Sequence, residues 1–492
     1  MPSKQDPIII VGAGIFGLST ALHLARRGYN DVTVFDKQPY DETLYSYLKG
    51  CDAASADLNK IIRSAYGSDT TYQSLTLDAI EEWKVWNKEL ETGKLVPPGM
   101  STSDRVFIQN GHLVLTDRET LPDFEVASIE NTEKVGLKDS QLDITIIRNV
   151  KLAEEKGLGY AVDPFRYGRS KSGKGNVGVL DTTGGLAVAD KACRFALAKA
   201  RSLGAKFVFG SRAGRMETLL YGPGSNVTGV KTADGKTHNA AITILACGGW
   251  TPSLLPVLDN LCEATAGSVV LLKLEPGTPL FDRFSPQRFP SWQYKMRDGA
   301  EGGLYGFPRD ENGWLKFGYR GMKYTNPVTQ GDGVERSVPV TRWSEQDLDA
   351  AKKTRKFTAI PAQAVKVIRR FLNSHIPELA ENGVDIALTR VCWYTDSYDN
   401  NLVIDRVPGK RGLMVATGGS GHAFKYLPNI GNWVVDIMEG VGIEREAVKA
   451  WRWRQRGDET PANVLMEGSK GDRSLGNIPL LTDADIKGKA RL

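Results

Sequence analysis

Three glycines, Gly12-x-Gly14-x-x-Gly17, constrain this chain more than any other feature. The aliphatic run Ile8–Val11 comes directly before them, and residues 16–27 carry apolar side chains at helical spacing directly after. The glycines therefore occupy a strand-to-helix turn. Gly12 permits the tight turn, Gly14 lets backbone approach a pyrophosphate, and Gly17 lets helix and strand pack closely. Phosphates would meet the unpaired N–H groups at the helix N-terminus. A second β-run, 32–35, ends in Asp36, where an acid accepts a ribose 2′-hydroxyl and repels a 2′-phosphate. This is a dinucleotide site for FAD or NAD, not for NADP.

Further along, residues 75–92 have helical spacing, and 95–160 read as loop with short strands at 105–109 and 112–116. A helix over 190–203 runs into a strand at 206–209. Buried strands are expected at 241–246, 402–405 and 413–416, a β-rich stretch at 265–340, and helices at 362–373 and 429–438. The strands at 241–246 and 413–416 are positioned to complete the sheet that Ile8–Val11 begins. With 492 residues, the chain is too long for one core, so two interleaved domains are expected. The polar, glycine-bearing stretch after Trp453 reads as a surface tail.

Several classes of function are excluded. The 63 basic and 58 acidic residues are mixed along the chain, and the densest basic run, 166–174, is interrupted by Gly and Ser. It reads as a solvated loop, so no nucleic-acid partner is expected. Five cysteines without CxxC spacing and five dispersed histidines argue against a disulfide scaffold and against a metal. The apolar stretch 8–24 follows Lys4 and Asp6 and is broken by glycines, unlike a signal peptide or a membrane span. A soluble protein is expected. Ala490-Arg491-Leu492 is a small–basic–Leu variant of a peroxisomal address, which predicts an import receptor as partner and peroxisomal, otherwise cytoplasmic, localisation.

Four ordered blocks carry a resemblance. They are Asp57-Leu-Asn-Lys60-Ile-Ile-Arg63-Ser-Ala-Tyr66-Gly67; Tyr305-Gly-Phe-Pro308 with Lys316-Phe-Gly-Tyr-Arg320; Val391-Cys392-Trp393-Tyr394-Thr395-Asp396; and Gly418-Gly419-Ser420-Gly421-His422-Ala-Phe-Lys425. Together with the glycine turn, the chain resembles the monomeric sarcosine oxidase family, which includes fructosyl amino acid oxidases (amadoriases), pipecolate oxidases and saccharopine oxidases. The resemblance implies FAD, attached as an 8α-cysteinyl thioether at the position of Cys392. It also implies a Rossmann-like FAD-binding domain interleaved with an antiparallel-sheet substrate domain, the former from 1–90, 160–250 and 389–450, the latter from 91–159 and 251–388. Residues 451–492 are left as the tail, and the chain is expected to be a monomer.

By the same resemblance, Lys316 is the lysine that activates oxygen, and Arg63 and Lys425 hold the substrate carboxylate. Lys60 lies over the flavin face, His422 and Tyr305 line the substrate pocket, and the helix after Gly421 meets the flavin's pyrimidine edge with Gly418, Gly419 and Lys425. The expected activity is oxidation of a secondary amine bearing a carboxylate, by oxygen, to an imine and hydrogen peroxide. Arg320 departs from the family, standing where amadoriases have glutamate and sarcosine oxidase has histidine. It suggests a second acid on the substrate, as in saccharopine, or an ion pair with an unidentified acid. Two alternatives stay open: an amine oxidase of specialised metabolism whose iminium is trapped by an aromatic ring, and a flavin dehydrogenase that passes electrons to a partner.

Overall fold

The computed structural model describes residues 2–165, 173, 175–341 and 360–482. Most of the basic run at 166–174 and the tripeptide 490–492 lie outside the described residues.

The expected opening forms as strand Ile8–Val11, helix Ile15–Arg26 and strand Val32–Asp36. Ile8 pairs in parallel with both Ile242 and Val32. The resulting six-stranded sheet has the order Val403–Arg406, Leu413–Thr417, Ile242–Leu245, Ile8–Val11, Val32–Asp36, Lys206–Phe209. It is parallel apart from the antiparallel edge pair Val403–Arg406 and Leu413–Thr417. The central strands Ile8–Val11, Ile242–Leu245 and Leu413–Thr417 are buried along their whole length, as a place between layers requires. Helices Ile15–Arg26, Ala189–Ser202 and Ile430–Glu439 share one core with this sheet. Gly431 is bare where its helix crosses Ile15–Arg26, since a Cβ there would lie 2.0 Å from the Ser19 carbonyl oxygen.

The second layer is an eight-stranded sheet ordered Ile386–Ser397, Cys262–Lys273, Trp314–Tyr324, Leu304–Gly306, Ser291–Tyr294, His112–Thr116, Val177–Asp181, Gln141–Asp143. It is antiparallel except where Ser291–Tyr294 runs parallel to His112–Thr116. Its strands come from 112–181 and 262–397, and Val177–Asp181 lies within the 160–250 segment. Helix Ala362–His375 packs on its far side through Val365, Ile368 and Phe371.

The stretch 95–160, expected to be loop-rich, also contains helices Asp123–Lys134 and Ile147–Glu155. The first turns Glu125, Ser128 and Thr132 inward, so its spacing is helical but its buried face is polar. The second buries only Ala153. Neither has the apolar stripe by which an amphipathic helix is recognised. The tail is tied down in part: Asn463 N donates to the Tyr398 carbonyl and Met466 N to Glu263. Among the described residues, no helix is long and apolar enough to cross a membrane, and no group of three or more His, Cys, Asp or Glu could hold a metal ion.

Candidate active site

A cleft of about 330 Å³ begins at the glycine turn. Gly12, Gly14 and Asp36 line it, together with Lys60, Arg390, Tyr394, Gly419 and Gly421. The Asp36 carboxylate accepts from the backbone N–H groups of Ala13 (2.7 Å) and Gln38 (2.8 Å), so its orientation is set before any ligand arrives. Gly12 has φ +105°, and a Cβ on it would lie 2.3 Å from the Ala246 carbonyl oxygen. Gly17 supports this turn from behind, since a Cβ there would come within 1.8 Å of the Gly12 oxygen. A cleft so lined suits a dinucleotide: phosphates at the helix N-terminus, ribose at Asp36, and a ring system against the second sheet.

Period-two alternation sorts the residues of that second sheet. On Trp314–Tyr324, the residues Leu315, Phe317 and Tyr319 enter the far core, leaving Lys316, Gly318 and Arg320 on the face toward the cleft. On Ile386–Ser397, Val391 and Trp393 join the core, and Arg390, Cys392 and Tyr394 take the opposite face. Two glycines make room there. A Cβ at Gly318 would strike the Tyr305 ring at 2.0 Å, and one at Gly267 would strike the Tyr394 hydroxyl at 2.6 Å. Cys392 is 1% exposed and packs with Val269 and Leu271.

Lys316, also 1% exposed, donates to Asp57 Oδ2 (2.6 Å) and to the Asn59 carbonyl (2.8 Å). Burial depresses its pKa to about 8, although Asp57 opposes the shift. Lys60 reaches the same Asp57 oxygen at 2.7 Å, and Arg390 lies 3.7 Å from the other. Burial works to raise the Asp57 pKa, yet these three cations hold it well below the usual carboxylate range.

Around Tyr66 the arrangement differs. The Lys425 ammonium donates to the Tyr66 hydroxyl at 2.7 Å, and the Arg63 guanidinium lies 4.9 Å from the Tyr66 ring centroid. Tyr426 O–H donates to the same Tyr66 oxygen (2.5 Å), and Tyr66 O–H donates to His422 Nδ1 (3.1 Å). His422 Nε2–H then donates to the Asn400 carbonyl (3.1 Å). Burial, and after it Lys425, lowers the His422 pKa to about 3, so the ring is neutral. Burial and Arg63 likewise depress Lys425 well below the ordinary lysine value. Among the described residues, neither Arg63 nor Lys425 has a carboxylate within ion-pair distance; Arg63 donates to the Ala65 carbonyl instead. The backbone at Lys425 is pinned by Trp83, whose indole N–H donates to its carbonyl at 2.8 Å.

Residues 7–437 match the DAO family, FAD dependent oxidoreductase. The chain belongs to this family. It is 27% identical over 460 residues to L-saccharopine oxidase of Schizosaccharomyces pombe, covering 91% of this chain and 93% of that protein. It is 24% identical over 445 residues to the human peroxisomal sarcosine oxidase, covering 89% and 93%. Among solved structures, fructosamine oxidase (amadoriase II) of Aspergillus fumigatus superposes with a TM-score of 0.70 at 27% identity, covering 92% of this chain and 91% of that one. The protein is thus an FAD-dependent oxidase acting on amine or amino acid donors, with the two-layer fold of that group.

In this FAD-dependent oxidoreductase, Arg320 rests against bare backbone. A Cβ at Gly421 would lie 2.5 Å from its guanidinium, which donates at 3.4 Å to the Ser420 carbonyl and stacks 5.1 Å from the Tyr394 centroid. Its Nε is buried without a partner, and no acid lies within ion-pair distance among the described residues. Gly418, with φ +69°, shapes the turn and does not line the cleft. Sequence reasoning missed the roles of Asp57, Tyr66, Arg390 and Tyr394. Asp57 and Tyr66 stand inside a quoted block, but a shared counter-ion or a ring between two cations is visible only in space.

Proposed function

We propose that the protein oxidises a secondary amine bearing a carboxylate, with Arg63 and Lys425 holding that carboxylate and oxygen as electron acceptor. The observation that supports this most strongly is the pair of cations at Tyr66 that, among the described residues, make no ion pair, Asp181 acting on Lys425 only from beyond ion-pair distance. Burying positive charge without a counter-ion is costly, so a fixed anion is the natural complement, and an Arg fork beside an ammonium suits a carboxylate. FAD, bound along the cleft with Asp36 on its ribose and Cys392 as the covalent attachment point, would supply the two-electron acceptor.

The chain's own groups do the rest. Arg63 and Lys425 orient the substrate and, as neighbouring cations, favour the neutral amine. Neutral His422 and the Tyr66–Tyr426 hydroxyls hold Lys425 in place. Tyr305 and Tyr394, flattened against Gly318 and Gly267, wall the pocket. Two electrons and two protons leave the C–N unit and end on oxygen as hydrogen peroxide; water then splits the imine to a carbonyl compound and an amine. A ring-closing fate for the imine would need an aromatic group on the substrate, and nothing at Arg320 favours one.

Arg320, charged and without an ion-pair partner among the described residues, favours a substrate with a second carboxylate, of the N-(carboxyalkyl) amino acid type. Kinetics across N-methyl, cyclic and N-carboxyalkyl amino acids test this, with peroxide followed in air. Arg320→Met should raise KM for the dicarboxylate by about tenfold to a hundredfold and leave monocarboxylates little changed. Equal loss for both would assign Arg320 a structural task, and turnover only with an added dye would replace oxidase by dehydrogenase.

A further inference from the structure

The geometry points to Asp57 as a positioning residue for the oxygen reaction, holding Lys316 as an ammonium with one N–H left free toward the cleft. The inference rests on the oxidase reading above and adds a residue to it. Of the three ammonium protons, one is directed at Asp57 Oδ2 and one at the Asn59 carbonyl. Asp57 is itself fixed, because its Oδ1 accepts from Leu58 N at 2.9 Å and faces Arg390. The groups around Lys316 are Asp57 and Lys60 from one side, Arg390 and Cys392 from the neighbouring sheet face, and the Tyr305 and Phe307 rings. Only one of these, Asp57, carries a negative charge beside it. Burial and Lys60 both push Lys316 toward the neutral amine, and Asp57 opposes them.

Charge counting makes the idea testable. Lys316, Lys60 and Arg390 stand against Asp57 and Asp52, a surplus of one positive charge. Negative charge develops on oxygen as it accepts electrons, and a preorganised cation lowers that barrier. If Asp57→Asn causes Lys316 to lose its proton, one negative and one positive charge vanish together and the surplus stays at one. If Lys316 keeps its proton, the surplus rises to two. The flavin midpoint potential reports the total charge, whereas the oxygen rate reports the lysine's charge.

The experiment uses flavin-loaded wild type, Asp57→Asn and Lys316→Met, each reduced anaerobically with dithionite and mixed with oxygen over a range of pH. The wild-type rate should fall as pH rises through about 8. At about pH 7.5, Asp57→Asn should be slower by roughly threefold to two-hundredfold, a removed counter-charge at this distance being worth about one to three pK units below the wild-type value near 8. Its rate should recover toward wild type in acid, its potential should barely move, and Lys316→Met should be slow at every pH. A wild-type rate in Asp57→Asn with a raised potential overturns the proposal, as does slowing that acid does not relieve. Should Asp57→Asn fail to hold flavin, Lys60→Met carries the test: leaving Asp57 to Lys316 should move the pH midpoint upward, and an unmoved or lowered midpoint overturns the proposal. Dithionite reduction makes the result independent of substrate identity. A wild type slow with oxygen at all pH overturns the oxidase reading and this proposal together, whereas a fast wild type with an unaffected Asp57→Asn overturns this proposal alone.

Discussion

Replacing Lys425 by Met separates a ligand-binding cation from a structural one, because the two roles predict opposite signs for stability. The Lys425 side chain is buried, its ammonium donates to Tyr66, and its pKa is depressed by burial and by Arg63. Below the unfolded-state lysine pKa, the unfolded chain therefore binds the proton more readily than the folded one. Such a group costs stability at neutral pH. Methionine keeps most of the volume and removes the charge, so thermal stability should hold or rise. Binding should move the other way. Loss of one charge-assisted bond to a carboxylate is worth about 1.5–3 kcal/mol, or roughly ten- to 150-fold in Kd. A thioether analogue of the substrate, with sulfur replacing the reactive nitrogen, can be titrated by its perturbation of the flavin spectrum. Its Kd should rise by that factor, while the analogue's primary amide should bind wild type and variant alike. A lower melting temperature with unchanged carboxylate affinity would refute the assignment, and so would equal losses for acid and amide.

Two other predictions concern different parts of the molecule. Acid-precipitated wild-type protein should stay yellow and Cys392→Ser should release its flavin under the same treatment; a colourless wild-type pellet removes the covalent link. Glu263 is buried directly opposite Asp396 on paired strands, accepts from Met466 N at 3.1 Å, and has its pKa raised by burial to about 7. Between its unfolded value and about 7 the folded state keeps a proton that the unfolded chain has lost, so stability falls as pH rises through that window. Glu263→Gln should therefore be more stable than wild type at mildly alkaline pH, by up to about 3 kcal/mol, and nearly equal to it in acid. Chemical denaturation at both pH values checks the sign.

What was legible in the sequence is what depends on neighbours along the chain. The glycine turn, its flanking strand and helix, and Asp36 lie within one supersecondary unit, and their spacing carries the physics of the turn. Once the structure supplies the strands Trp314–Tyr324 and Ile386–Ser397, whose bounds the sequence did not reveal, alternation places Lys316 on a face with Arg320, and Cys392 with Tyr394. Helices Asp123–Lys134 and Ile147–Glu155 escaped because they are held by buried polar groups or lie on the surface, without an apolar period. Only the tertiary structure decided that Lys316 and Lys60 share one carboxylate oxygen, and that Arg63 and Lys425 meet around one tyrosine with no ion pair among the described residues. The physical reason is distance along the chain: Asp57 and Lys316 are 259 residues apart, and local propensity carries no information about which remote charge a fold will bring to within 2.6 Å of another.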